Sequence, residues 1–191
     1  MTDALAHDAL FIDELRGEAR RYKDFADQAL AQIDDASFFA TLDAESNSLA
    51  LIVKHVAGNL QSRWTEVYTS DGEKRDRHRD REFELEPADT RPGLMTRWDA
   101  GWGCFLETLD RMEPADLART VLIRAEPHTL TRALLRSLAH TASHVGQIVV
   151  LAKHHAGDRW GTLSIPRGQS EQVNAMMRER FAANPDATSA S

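Results

Sequence analysis

The stretch LAHTASHVGQIVV, residues 138–150, decides how this chain is read. Its apolar positions recur at helical spacing, yet it carries His140 and His144 four residues apart. Side chains at i and i+4 lie on one face of a helix, about 6 Å apart along the axis. Burying two imidazoles has to be compensated. Spacing alone leaves two alternatives open: a hydrogen-bonded pair in the core, or two arms of a metal site that needs a third ligand.

Working outward, the helix holding this stretch is predicted to start at Thr129–Thr131 and to end at Ala156-Gly157, where glycine suits a C-cap. Three other long segments have the same periodicity. In the first, Phe11, Leu15, Ala19, Tyr22, Ala26, Ala29 and Ile33 form an apolar stripe opposite a charged face. The second starts near Ser46-Asn47-Ser48, a good N-cap cluster, and is expected to run to Ser70, before the turn signal Asp71-Gly72. The third opens at Thr90-Arg91-Pro92, with Leu94, Trp98, Trp102, Phe105, Leu109 and Met112 on one face, and Pro114 ends it. Residues 120–124, TVLIR, read as a short strand, and EPHT (126–129) as the turn after it, so a small β-hairpin before the fourth helix is expected. Four long helices with little strand predict an all-α, four-helix-bundle domain over residues 1–182, with a short helix near its end and a disordered tail at 183–191.

Residues 71–86, DGEKRDRHRDREFELE, carry dense charge of both signs and read as a solvated connector. Their length is unusual for a link between bundle helices, which also admits a segment lying over a site.

Composition narrows the function. The chain has 191 residues and a formal net charge of −7, which disfavours nucleic-acid binding. The single cysteine, Cys104, excludes an intrachain disulfide and a cysteine-based zinc site, and suits a reducing cytoplasm. The acidic N-terminus is no secretory signal, and no apolar run is long enough to span a membrane. Cytoplasmic localisation and a small-molecule substrate are the resulting expectations.

A third ligand is available in the second helix. His55 is its one histidine, and Asn59, Ser62 and Glu66 follow at i+4, i+7 and i+11 as a polar stripe. Polar groups on an inward face are costly unless paired. A bundle interior lined by His55, Asn59, His140 and His144 therefore makes sense as a site. Three histidines with an open fourth position describe a catalytic zinc site, and imidazole also suits nickel, iron or copper. Ligating histidines need partners for their second ring nitrogen, for which Glu66, Ser62 and backbone carbonyls are candidates. Thr141 follows His140, so the His-Glu pattern of zinc proteases is absent. Lys54, Arg63 and Arg167 are candidates to hold an anionic substrate. His154 and His155 suit the dipole at a helix C-terminus, and His7, His78 and His128 are expected to be exposed. Trp64, Trp98 and Trp102 should pack between helices, and Cys104 should be a buried, inert thiol.

Five segments carry a family resemblance: NSLALIVKHVAGNLQSRW (47–64), SDGEK with RDREFE (70–74 and 79–84), RWDAGW (97–102), AHTASHVGQIVVLAKH (139–154) and WGTLSIPRGQSEQVN (160–174). With them the chain resembles the DinB/YfiT-like superfamily of metalloenzymes, and within it a subgroup of bacterial proteins of unknown function. The resemblance implies a left-handed bundle in up-down-down-up order, often homodimeric. It implies a divalent metal, zinc or nickel, on His55, His140 and His144, with Gly146-Gln147 matching a frequent glycine-glutamine after the last ligand. Asn59, Ser62 and Gln147 would then support the ligands or face substrate. Characterised members include transferases and isomerases that use a low-molecular-weight thiol, which implies a thiol-dependent S-transferase-like activity on a small electrophile. A metal-dependent hydrolase and a non-catalytic, stress-related binding or dimerisation protein are the alternatives.

Overall fold

Ser48 starts the central helix of the molecule: its hydroxyl accepts the backbone N–H of Leu51, satisfying a donor that the first turn leaves free. In the computed structural model, which describes residues 2–182, the order is α1 (Thr2–Leu30), α2 (Asp35–Phe39), α3 (Leu49–Trp64), α4 (Arg91–Asp110), β1 (Thr120–Ile123), β2 (Glu126–Thr129), α5 (Leu130–Ala156) and α6 (Ser170–Ala182). Three short 3₁₀ turns lie between them, at Arg79–Phe83, Pro114–Ala118 and Gly157–Arg159. The chain is mostly helical, 67%, with six helices and one two-stranded antiparallel sheet among the described residues. The expected tail, 183–191, lies outside the described residues.

Packing follows the apolar stripes. The main helix pairings are α3 on α4 and α1 on α5, with further contacts of α3 to α5 and α1 to α4. Trp64 of α3 stacks on Phe105 of α4 at 4.8 Å between ring centroids, and Trp98 and Trp102 are fully buried beside them. The two backbones can approach because Gly101 has no side chain: a Cβ there would stand 2.6 Å from the carbonyl oxygen of Ala57. Trp98 keeps its indole N–H satisfied on Asp27 of α1 at 2.8 Å. Cys104 is half-buried rather than buried, with its sulfur 3.5 Å from the Thr65 hydroxyl.

The structure corrects several expectations. α3 stops at Trp64, six residues before Ser70. Glu66 takes a left-handed φ of +49°, and the Thr65 hydroxyl folds back on the Gln61 carbonyl at 2.7 Å. Residues 126–129 form β2 rather than a turn, with Thr120 opposite Thr129 and Ile123 opposite Glu126. The turn is Arg124-Ala125, both left-handed (φ +56° and +61°), as a two-residue hairpin of right-handed twist requires. Neither residue advertises that conformation. Asp71 holds it in place by accepting both backbone N–H groups, at 2.8 and 2.6 Å. Strand alternation turns His128 inward, where it is buried rather than exposed.

The charged segment after α3 is not a solvated connector. It is fastened to α3 at three levels. Near its start, the Ser62 hydroxyl donates to the Gly72 carbonyl and accepts the Lys74 N–H, at 3.0 and 3.1 Å. Midway, Glu82 meets His55. At its end, Lys54 donates to the Glu84 carbonyl and to Asp89, at 2.8 and 2.7 Å. Asp89 is 2% exposed, so this is a buried ion pair.

Candidate metal centre

α3 contributes His55, and α5 contributes His140 and His144 one turn apart. Their side chains converge. The Nε2 of His140 stands 3.2 Å from the Nε2 of His55 and 3.2 Å from the Nε2 of His144. One ring nitrogen from each of the three lies within 4.8 Å of the other two. His55 is buried and the other two are half-buried.

The far side of each ring determines what these nitrogens present. Nδ1 of His55 is 2.8 Å from Oε2 of Glu82, and an ionised carboxylate only accepts, so Nδ1 carries a proton, which in the neutral ring leaves Nε2 a lone pair. Nδ1 of His144 lies 2.9 Å from Oε1 of Gln147, which gives the same tautomer. A proton on Nε2 of His140 would satisfy one of the two facing lone pairs and leave the other. A cation would satisfy all three nitrogens at once. For tetrahedral angles and bonds of about 2.05 Å, nitrogens must stand about 3.3 Å apart. Two of the three separations, both 3.2 Å, meet that demand. The residues present therefore fit a divalent ion.

Protonation favours the same use. Burial first, then the neighbouring His144 and His55 and the guanidiniums of Arg63 and Arg77, push His140 down to about 4. Burial also pushes His144 below the ordinary imidazole value, against the hydrogen bond it donates to Gln147, with His55 adding to the shift. Near neutral pH both rings are thus neutral, the state a metal ligand requires.

Glu82 is the residue that sequence reasoning missed. The 3₁₀ turn Arg79–Phe83 brings it onto His55 and sets the Phe83 ring 4.7 Å from the imidazole centroid. Arg77 grips both oxygens of Glu82 in a fork, Nε to Oε1 and Nη2 to Oε2, each at 2.8 Å. Burial raises the Glu82 carboxyl, but the hydrogen bonds from Arg77 and His55 outweigh it and hold the group below its usual range. Gly58, one turn below, makes room: a Cβ there would collide with the Glu82 carboxylate. A carboxylate that orients a ligating histidine is a standard support of metal sites.

The other sequence candidates separate. Gln147 reaches His144, and Asn59 lines the cavity beside His55 and His140. Ser62 anchors the connector instead of a histidine, and Glu66 is exposed beyond the end of α3. Lys54 is committed to Asp89. Arg167 lies on a surface groove with Phe25, Val149 and Trp160. Arg63 does enter the cavity, of about 140 Å³, and is joined there by Arg79, Arg124 and Arg136. Burial, then Arg136, Arg77 and Arg124, push Arg63 down to about 10 against the pull of Glu73.

Fold and site together define a mostly helical protein with a three-histidine cluster able to hold a metal ion. The chain belongs to the family described as "Protein of unknown function (DUF1572)", whose model matches residues 6–169. That match spans all three histidines and Glu82. No curated protein and no solved structure matches the chain. No helix among the described residues is long and apolar enough to cross a membrane.

Proposed function

We propose that this chain is a divalent-metal-dependent enzyme acting on a small molecule, built on a DinB/YfiT-like four-helix bundle of α1, α3, α4 and α5. The observation that carries the reading is the convergence of three imidazole Nε2 atoms from two helices, two of them with the opposite ring nitrogen held by Glu82 or Gln147. His55, His140 and His144 would hold the ion, zinc or nickel. When bound, such an ion acts as a Lewis acid toward a thiol, a carbonyl or water.

The chain's own residues divide the remaining work. Glu82 holds the Nδ1 proton of His55 and so fixes the ring and its tautomer. Arg77 keeps Glu82 ionised and immobile. Gln147 does for His144 what Glu82 does for His55. Asn59 presents an amide to the cavity beside the histidines. The resemblance to thiol-dependent relatives favours S-transfer to a small electrophile as the reaction class. Residence in the cytoplasm and function as a homodimer belong to the same proposal.

The test is metal analysis of untagged protein, with His55→Ala and His144→Ala in parallel. The expected result is one equivalent in the wild type and a large loss in both variants. Unchanged metal content in both variants overturns the reading. A protein that binds no metal, yet tolerates asparagine at all three positions without loss of function, supports the non-catalytic alternative instead.

A further inference from the structure

The cavity that opens beside the histidines is lined by four arginines drawn from four separate places in the fold. Arg63 comes from α3, Arg79 from the 3₁₀ turn, Arg124 from the β-hairpin and Arg136 from α5. Among the described residues, no acidic side chain lines this cavity. The centre of the cluster is Arg63. It is 8% exposed, forms no hydrogen bond or ion pair among the described residues, and its Nε is fully buried without a partner. The strongest charges acting on it are mostly like charges, from Arg136, Arg77 and Arg124, with Glu73 opposing. Glu73 is itself shared by Arg77 and Arg124, at 3.2 and 3.4 Å.

A buried guanidinium without a partner is costly, and gathering further guanidiniums around it raises the cost. Stability does not explain such an arrangement. Elsewhere this chain pairs its buried cations: Lys54 has Asp89, and Arg77 has Glu82 and Glu73. A role in holding an anion does explain it, because planar guanidinium forks match carboxylate and phosphate oxygens. The overall charge of −7 makes a local cationic cavity more pointed still.

We propose that this cavity binds the oxyanion head of a small-molecule substrate, a carboxylate or phosphate group, between Arg63 and Arg136, with the rest of the molecule lying against His55 and His140. The anion site stands on the arginines alone; its role in placing a reacting group rests on the metal reading above. The cavity, about 140 Å³ and open on one side, suits a small anionic molecule. Arg79 and Arg124, both exposed, draw the anion toward the opening, while Arg63 holds it at depth.

The experiment is calorimetric titration of inorganic phosphate and of malonate into metal-free and metal-loaded full-length protein, at fixed ionic strength. Arg63→Gln and Arg136→Gln are compared with wild type, and metal content is measured on every sample. The expected result is one site that binds at least one of the two probes in metal-free protein. Each substitution should weaken it by roughly tenfold or more, the range for a charge-assisted hydrogen bond, and leave metal content unchanged. The probe that binds more tightly identifies the head group. Absence of binding by both probes overturns the proposal. So does binding confined to metal-loaded protein and indifferent to both arginines, since the anion is then a ligand of the ion. Arginine-dependent binding in protein that takes up no metal upholds the anion site and removes the metal reading. Should Arg63→Gln fail to fold, the exposed positions Arg124 and Arg136 carry the same test.

Discussion

Glu82→Gln separates a metal site from a packed histidine cluster. In the native structure one carboxylate serves two partners: His55 through Oε2 and Arg77 through both oxygens, every contact at 2.8 Å. The amide keeps the shape and removes the charge. With its oxygen at the Oε2 position it still accepts from His55 and from Nη2 of Arg77 but turns its NH2 on Nε of Arg77; flipped, it turns that NH2 on both His55 and Nη2, and in either pose His55 loses a charged acceptor. Loss of an outer-shell carboxylate lowers metal affinity by roughly 10- to 100-fold, or about 1.4 to 2.7 kcal/mol. Stability falls too, because Arg77 is 5% exposed. The ceiling for stranding a buried charge, about 3–5 kcal/mol, is not reached, since Glu73 remains within 3.2 Å of Arg77.

Gly58→Ala is the companion change. It keeps the charge but pushes the Glu82 carboxylate off its seat. Zinc affinity is measured by competition with a chromophoric chelator near neutral pH, and urea unfolding of the metal-free proteins is run alongside. Both variants should lose zinc affinity, Glu82→Gln more than Gly58→Ala. If both fold and both hold zinc within about twofold of wild type, the claim that Glu82 positions His55 for a metal fails.

Three further outcomes are expected. His140 is held neutral down to about 4 when folded, against 6.5 as a free imidazole, so between those values the unfolded chain binds more protons. Stability of the metal-free protein should therefore fall as pH drops from 6.5 towards 4, by at most about 3 kcal/mol, and His140→Asn should flatten that part of a pH–Tm profile. Lys54→Met takes the nearest cation from the Asp89 carboxylate, which keeps the Glu86 N–H at 2.9 Å and Arg97 at 3.5 Å, so the cost should stay below the ceiling of about 3–5 kcal/mol for a stranded charge, read as a lower urea midpoint. Gly101→Ala drives a methyl group into the backbone of Ala57 and should cost about 1–3 kcal/mol with an unchanged slope in urea, while metal content per folded molecule stays constant.

The three histidines were legible because helical periodicity puts His140 and His144 on one face and leaves His55 as the one histidine of its helix. The caps Ser48, Thr90 and Gly157 were legible for a similar reason: each is a local signal. The partners of the site were not. Glu82 and Arg77 sit in a run of alternating charges, where no periodicity distinguishes a buried carboxylate from a solvated one. The informative signal was instead the length of that run; Gly58 makes room for Glu82, but a helical glycine alone is no signal, since Gly103 and Gly146 have open space beside them. Arg79, Arg124 and Arg136 were hidden for another reason. They are distant in sequence, and Arg124 reaches the cavity because Asp71 locks a left-handed hairpin turn that its residue types do not announce. Sequence reasoning expected Lys54, Arg63 and Arg167 to be equivalent cations; tertiary pairing alone separates them.

The make-up of the cluster argues against a purely structural role for the proposed metal. A closed structural zinc site takes all four ligands from protein. Here the cluster supplies three histidines, and no further histidine, cysteine or carboxylate joins it among the described residues. The nearest acid, Glu82, is turned to the opposite nitrogen of His55 and occupied by Arg77. Across the cavity the chain places guanidiniums instead of ligands. A fold selected only to staple α3 to α5 would gain from a fourth ligand and lose by gathering unpaired positive charge. Binding an ion would still link the two helices and stabilise them, by about 2.7 kcal/mol when free metal is a hundredfold above Kd. That stabilisation would accompany a three-histidine cluster bordering an arginine-lined cavity, an arrangement that the proposed turnover of a charged small molecule explains better than a rivet does.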